Sequence, residues 1–216
     1  MADSANESAE LLNRLKDGDD QALATLFALG RDRLLRMVEF RLDARLRGRV
    51  EAEDVVQEAY LDAAKRVHHF AEDSSTSFFI WLRMVVTQTL IDIHRRHLGA
   101  QMRDAGREAA RRGARYSQTT TVSLAANLMG TLTSPTLAAR RAELAERLRE
   151  TLDEMEPIDR EVLALRHFEE LTNSEVAEEL GIQQKAASIR YVRALRRLKE
   201  ILAELPGLAE DFRFGV

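Results

Sequence analysis

The sequence predicts an all-α protein: two small helical domains joined by a flexible linker. Three observations carry this. Apolar residues recur at helical spacing through both halves of the chain, as in Leu82, Val86, Leu90, Ile93 and again Leu144, Leu148, Leu152. Among 216 residues there are only three prolines, and alternating β-branched runs are nearly absent. Between the two periodic halves, residues 105–139 hold a basic, Ala-rich stretch, Arg107 to Arg115, and a Ser/Thr/Gln run, Ser117 to Ser123, a mostly polar linker composition.

In chain order, residues 8–29 form one or two short helices broken at Asp17-Gly18-Asp19-Asp20. Leu23, Leu26, Phe27, Leu34, Leu35, Val38, Leu42 and Leu46 continue a helical stripe that Gly48 is expected to end. Asp54 to Val67 forms a helix with Val55, Val56, Ala59, Ala63 and Val67 as its apolar face. A polar loop, His68 to Ser77, leads into a long helix from Phe78 to about Met102. These elements make up a first domain, 8–104. After the linker, a second domain spans 140–204 and a short tail 205–216. Pro157 suits the first turn of a helix carrying Val162, Leu163 and Leu165.

Thr172-x-x-Glu175 is a capping box, in which each side chain satisfies the other's backbone donor. It opens a short helix with Val176, Ala177 and Leu180 on its buried face. Gly181 makes the turn, and a second helix starts at Gln183 or Gln184. A short capped helix, a glycine turn and a basic second helix form a helix-turn-helix signature. At about 100° per residue, Ala187, Tyr191, Ala194 and Leu198 face the core, and Lys185, Ser188, Val192 and Arg196 face outward with Ile189 and Arg193 beside them. Read as DNA-facing, this second helix assigns base readout to Lys185, Ser188, Val192 and Arg193 and phosphate anchoring to Arg190, Arg196 and Arg197; the same pattern also fits an ordinary solvated basic helix.

Charge is distributed to match. The net charge is −4, yet Lys185 to Lys199 holds six bases and no acid, and Glu51 to Asp62 holds five acids and no base. One surface meets anions and another meets something basic or polar. On the long helix the same projection puts Trp81, Val85, Gln88, Asp92, Arg95 and Arg96 on one side. That mixture suits the bases and phosphates of an opened strand. The spacing equally fits a packing tryptophan and an Asp92–Arg95 or Asp92–Arg96 pair along the helix.

Other chemistries find little support. With no cysteine there are neither disulfides nor thiolate metal sites. His94-x-x-His97 and His68-His69 supply imidazoles, but Arg95 and Arg96 lie between the first pair and no acidic ligand converges, so neither metal nor cofactor is expected. There is no Gly-rich phosphate loop and no nucleophile motif, and no enzyme is expected. No apolar run approaches the roughly 20 residues of a membrane span, and the polar first residues do not read as a signal peptide. A cytoplasmic protein without membrane insertion is the expectation.

Taken together, these motifs resemble an extracytoplasmic-function (ECF) sigma factor of the sigma-70 family, over about residues 8–104 and 140–203. Asp54-Val55-Val56-Gln57-Glu58-Ala59-Tyr60-Leu61 resembles the family's core-binding helix. Trp81-Leu82, Ile91-Asp92 and Arg95-Arg96 resemble its promoter-melting helix. Glu156 to Leu163, through the helix-turn-helix to Arg193-Ala194-Leu195-Arg196-Arg197-Leu198, resembles its second domain. The resemblance implies a sigma region 2-like bundle and a sigma region 4-like helix-turn-helix domain. Asp54, Gln57, Glu58 and Leu61 would dock on core RNA polymerase. Phe78, Trp81, Gln88, Asp92, Arg95 and Arg96, with a flipped base in the loop His68–Ser77, would hold the melted minus-ten strand. Lys185, Ser188, Arg190, Val192, Arg193, Arg196 and Arg197 would bind the minus-thirty-five duplex. The linker would thread through polymerase, with Leu124, Leu128 and Met129 docking on it or on an inhibitor, and an anti-sigma factor is a further partner. Gln88 stands where the family commonly has Asn, and Ile189 and Val192 put apolar groups on the reading face, within reach of thymine methyls. The rival reading is a helix-turn-helix regulator that binds duplex DNA without polymerase.

Overall fold

The computed structural model describes residues 2–72, 76–98, 114–130 and 141–204. Among them are nine α-helices and one π-helical turn, and no strand. The chain divides into two compact units between Met102 and Arg103.

In the first unit, α1 (Ala2–Lys16) and α2 (Asp20–Arg41) meet at the expected break. Gly18 takes a φ of 86° there. Asp19 caps α2 by accepting from the Gln21 N–H at 2.9 Å and is held by Arg14 at 2.6 Å. The α2 stripe does not run on to Gly48. The helix stops at Arg41, and Leu42 turns extended (ψ 123°). Leu46 and Val50 are nevertheless buried, because the following turn folds back onto the core. Asp43 organises that turn. Its carboxylate takes the Arg45 N–H at 2.9 Å, and its own N–H donates to His94 Nε2 at 3.3 Å.

The next helix, α3 (Ala52–Glu72), is longer than predicted at both ends. The segment expected as a loop from His68 is thus helical to Glu72, and residues 73–75 of it lie outside the described residues. The extra turn brings Phe70 into an edge contact with Phe78, ring centroids 5.3 Å apart. Phe78 opens α4 (Phe78–Leu98), and the expected extension to Met102 lies outside the described residues. Helix α4 packs on α3 and α2. Gly30 of α2 lets it approach, since a Cβ there would lie 3.3 Å from the Phe79 ring. Arg33 stacks over that same ring at 3.7 Å.

The second unit departs from the predicted linker. Residues Ala114–Gly130 form a helix, α5, packed on α6 (Arg141–Asp153) and α7 (Pro157–Leu163). Leu124, Leu128 and Met129 are buried within the unit, not displayed for a partner. The Ser/Thr character that suggests a linker is accommodated by long-range bonds. Thr120 Oγ1 donates to Glu161, and Thr121 Oγ1 donates to Asp153 at 2.8 Å. At the α6–α7 corner, buried Arg160 donates from Nη1 to the carbonyls of Leu152 (2.8 Å) and Met155 (3.0 Å), satisfying groups that a helix end leaves open. A π-helical turn, Ala164–Phe168, prolongs α7 and delivers the chain to α8 (Asn173–Leu180) and α9 (Gln184–Glu204).

Candidate nucleic-acid interface

The helix-turn-helix is built as its signature predicts. Thr172 Oγ1 accepts from the Glu175 N–H (3.3 Å), and Glu175 Oε2 accepts from the Thr172 N–H (2.7 Å), so the box closes at both ends. Gly181 caps α8 in the left-handed region at φ 63°. Asn173 Nδ2 donates to the Gln184 carbonyl at 2.8 Å and ties the start of α8 to the start of α9. Ala187, Ala194 and Leu198 seat α9 on the core, with Tyr191 partly covered under Arg166 at 5.2 Å. Lys185, Ser188, Val192 and Arg196 form the outward stripe, with Ile189 beside it. Ile189 and Val192 are 60% and 57% exposed, so two aliphatic side chains occupy the middle of this face.

Arg193 departs from the predicted division of labour. Its Nε and Nη2 meet Asp159 Oδ2 at 2.7 Å, and Nη2 also meets Glu156 at 3.1 Å. Arg190 lies against the same two acids, at 2.8 Å from Asp159 and 3.0 Å from Glu156, and Arg197 pairs with Glu154 at 3.1 Å. Arg193 therefore groups with Arg190 and Arg197 rather than with the outward stripe. Hydrogen bonds from Arg190, with the charge of Arg193, hold the Glu156 carboxyl below the usual carboxylate range, and Asp159 and Glu156 in turn raise Arg190. These acids were missing from the sequence-based site. The signal for them is the acidic run Glu154-Met155-Glu156-Pro157-Ile158-Asp159, set against arginines at i, i+3 and i+7.

In the first unit, Asp54, Gln57, Glu58 and Leu61 are all exposed along one stripe of α3, while Val55, Val56, Ala59 and Ala63 are buried behind them. Leu61 is 55% exposed. On α4 the predicted stripe is narrower than projected. Val85 points into the core, and Phe78 is buried at 8% exposure against Phe70 and Trp81. Phe78 thus supports Trp81 and presents no ring of its own. Trp81 is partly exposed, 5.1 Å from Phe70 and 5.6 Å from Phe78 in tilted contacts. Below it, Gln88 Nε2 donates to Asp92 (3.0 Å), Arg95 reaches the other Asp92 oxygen (3.4 Å), and Arg96 pairs with Glu58 of α3 at 2.6 Å. The α3 stripe and the α4 cations therefore share an ion pair.

The two histidines His94 and His97 of α4 have different surroundings. His94 is buried and accepts from Asp43, which requires an unprotonated Nε2, and burial lowers its pKa. His97 of the same predicted pair is exposed. Among the described residues, no group of three His, Asp or Glu side chains could hold a metal ion, and no helix is long and apolar enough to cross a membrane.

A capped helix, a left-handed glycine turn and a seated second helix make this a protein of the helix-turn-helix class. The sequence model of ECF sigma factors matches residues 5–202, and the chain belongs to that family. It is 26% identical to the ECF RNA polymerase sigma factor SigW of Bacillus subtilis (strain 168), over 90% of this chain and 96% of that one. It is 25% identical to the RNA polymerase sigma-H factor of Pseudomonas aeruginosa PAO1, over 92% and 95%. Among solved structures, it is similar to CnrH in complex with the cytosolic domain of CnrY, with TM-score 0.48, 21% identity and coverage of 89% and 95%. It also matches a chain of the RsbN–BldN complex, with TM-score 0.32, 20% identity and coverage of 88% and 99%. As an ECF sigma factor, the chain is an RNA-polymerase-associated factor that directs the enzyme to promoters.

Proposed function

We propose that this chain divides promoter recognition among three helices. The α3 stripe of Asp54, Gln57, Glu58 and Leu61 docks on core RNA polymerase. Trp81, Gln88, Asp92, Arg95 and Arg96 of α4 hold the melted minus-ten strand, with Phe78 as the buried support for Trp81. Lys185, Ser188, Val192 and Arg196 of α9 read the minus-thirty-five duplex, flanked by Arg190, Arg193 and Arg197. Polymerase supplies all catalysis, and the chain works in the cytoplasm without a cofactor. An anti-sigma protein that covers the α3 stripe would hold it inactive.

The observation that carries this reading is the α3 stripe. A helix buried along one face leaves three polar side chains and a leucine exposed together on the other, a surface that a regulator binding duplex DNA alone does not need. The test is transcription in vitro with core polymerase on a genomic library. The chain should make particular promoters fire. Trp81→Ala should block opening while leaving closed-complex binding intact, and Lys185→Ala should change which minus-thirty-five elements are used. A chain that binds promoter duplex tightly by itself and adds nothing to core polymerase would instead be the helix-turn-helix regulator.

A further inference from the structure

Three arginines of α9, Arg190, Arg193 and Arg197, are engaged by carboxylates of their own unit. Projected at about 100° per residue, Arg190, Arg193 and Arg197 form a strip between the outward stripe and the buried one. That is the edge where a helix lying in a groove passes the phosphate backbone. The strip faces Glu154, Glu156 and Asp159, at 2.7 to 3.1 Å across five ion pairs. Three guanidinium charges against three carboxylates leave it without net charge. Arg197 is further shared with Glu200 at 3.4 Å.

Exposed ion pairs stabilise a fold little, and burying a carboxylate is costly. Yet Asp159 keeps only 7% of its side chain exposed and contacts both Arg190 and Arg193. Fold stability is therefore a poor account of the arrangement, whereas its effect on DNA is direct. A cation that neutralises a phosphate adds about 0.9 to the salt dependence of binding. A cation that must first leave a carboxylate gives little of this.

We infer that Glu154, Glu156 and Asp159 set the selectivity of DNA binding by withholding Arg190, Arg193 and Arg197 from indiscriminate phosphate attraction. Binding by the unaided chain then depends on the outward stripe, where Ile189 and Val192 add sequence-dependent apolar contacts rather than charge. Only a duplex that fits this stripe brings its phosphates close enough to compete for the arginines. The inference rests on the assignment of α9 as the duplex-reading helix.

The experiment uses the full chain without polymerase. Fluorescence anisotropy follows its binding to promoter duplex and to random-sequence duplex, from about 50 to 200 mM salt. The variant Glu154→Gln/Glu156→Gln/Asp159→Asn should bind random duplex at least tenfold more tightly at the lowest salt. Its logarithmic salt slope should steepen by about one to three, at about 0.9 per freed arginine. Its preference for promoter over random duplex should fall. Glu154→Gln alone, which leaves Arg197 only its 3.4 Å contact with Glu200, should steepen the slope by at most about 0.9, so the test survives if the triple variant does not fold. Unchanged slopes in folded variants, or weaker binding, would overturn the inference and make the acids mere supports for the arginines. Transcription by wild-type chain with core polymerase is read separately. Its failure would remove the sigma-factor reading and leave the salt slopes to decide this one.

Discussion

Truncating Leu61 to alanine isolates the proposed docking stripe of α3 from the fold that carries it. Fully burying a leucine side chain is worth about 1.5–3 kcal/mol. Leu61 is 55% exposed, so a partner that covers it gains roughly half of that, and alanine, which keeps the Cβ, forfeits about 1 kcal/mol. That corresponds to about five-fold weaker binding to core polymerase. Stability should change by less than about 0.5 kcal/mol, because the substitution opens no cavity. The assay is competition between labelled wild-type chain and each variant for core polymerase, with thermal unfolding alongside. Val122→Ala, a comparably exposed aliphatic in the other unit (44% exposed), is the control and should leave affinity unchanged. If Leu61→Ala binds polymerase as wild type does, the stripe is not the docking surface. If it lowers the unfolding midpoint by several degrees, Leu61 belongs to the core and the reasoning fails at its first step.

Other tests use the single tryptophan, Trp81, which reports the first unit alone, while circular dichroism reports both. His94 is buried and accepts from the Asp43 N–H, and burial puts its folded-state pKa below the ordinary 6.5, with Asp43 opposing and Arg45 reinforcing the shift. The unfolded chain therefore takes up the proton first. Stability seen at Trp81 should be level above pH 6.5 and fall below it, down to the depressed folded-state value; His94→Gln should flatten that fall. Arg160→Met leaves the Met155 carbonyl without its donor and the Leu152 carbonyl with only the Met155 N–H, so it should cost about 1–3 kcal/mol in urea titrations followed by circular dichroism. The Trp81 transition should not move. Thr172→Ala opens the capping box, costing about 1 kcal/mol and loosening duplex binding, and Thr172→Ser should restore both.

Legibility in the sequence followed the range of each interaction. The capping box, the αL glycine and the buried Ala187, Ala194 and Leu198 are local, and all were readable from spacing. Leu42 and Leu46 keep helical spacing beyond the end of α2 because the turn they occupy folds back to bury them, which periodicity cannot distinguish from more helix. Val85 left the predicted exposed stripe because α4 packs against both α3 and α2 and buries more than one face. The α5 segment reads as a linker because its threonines look solvent-directed, and their partners, Glu161 and Asp153, lie 41 and 32 residues away in sequence. The pairing of Arg193 is hidden from local spacing for the same reason: its acids lie 34 and 37 residues upstream.

The charge contrast between the acidic helix and the basic one takes a different meaning once these partners are in place. Glu58 is engaged by Arg96 within the first unit, and Arg190, Arg193 and Arg197 are engaged by acids within the second. Each unit thus neutralises part of its own recognition surface. The proposed surfaces also expose aliphatic side chains: Leu61 on α3, Ile189 and Val192 on α9. Single aliphatic contacts of this kind give modest affinity and no long-range attraction, so either unit alone should bind its target weakly. Polymerase changes the arithmetic. Docking through α3 as proposed would make DNA contact by the second unit an intramolecular event, at an effective concentration of order millimolar for a short connection. On this proposal two weak contacts add into one firm complex without new interactions, and promoter binding becomes conditional on polymerase.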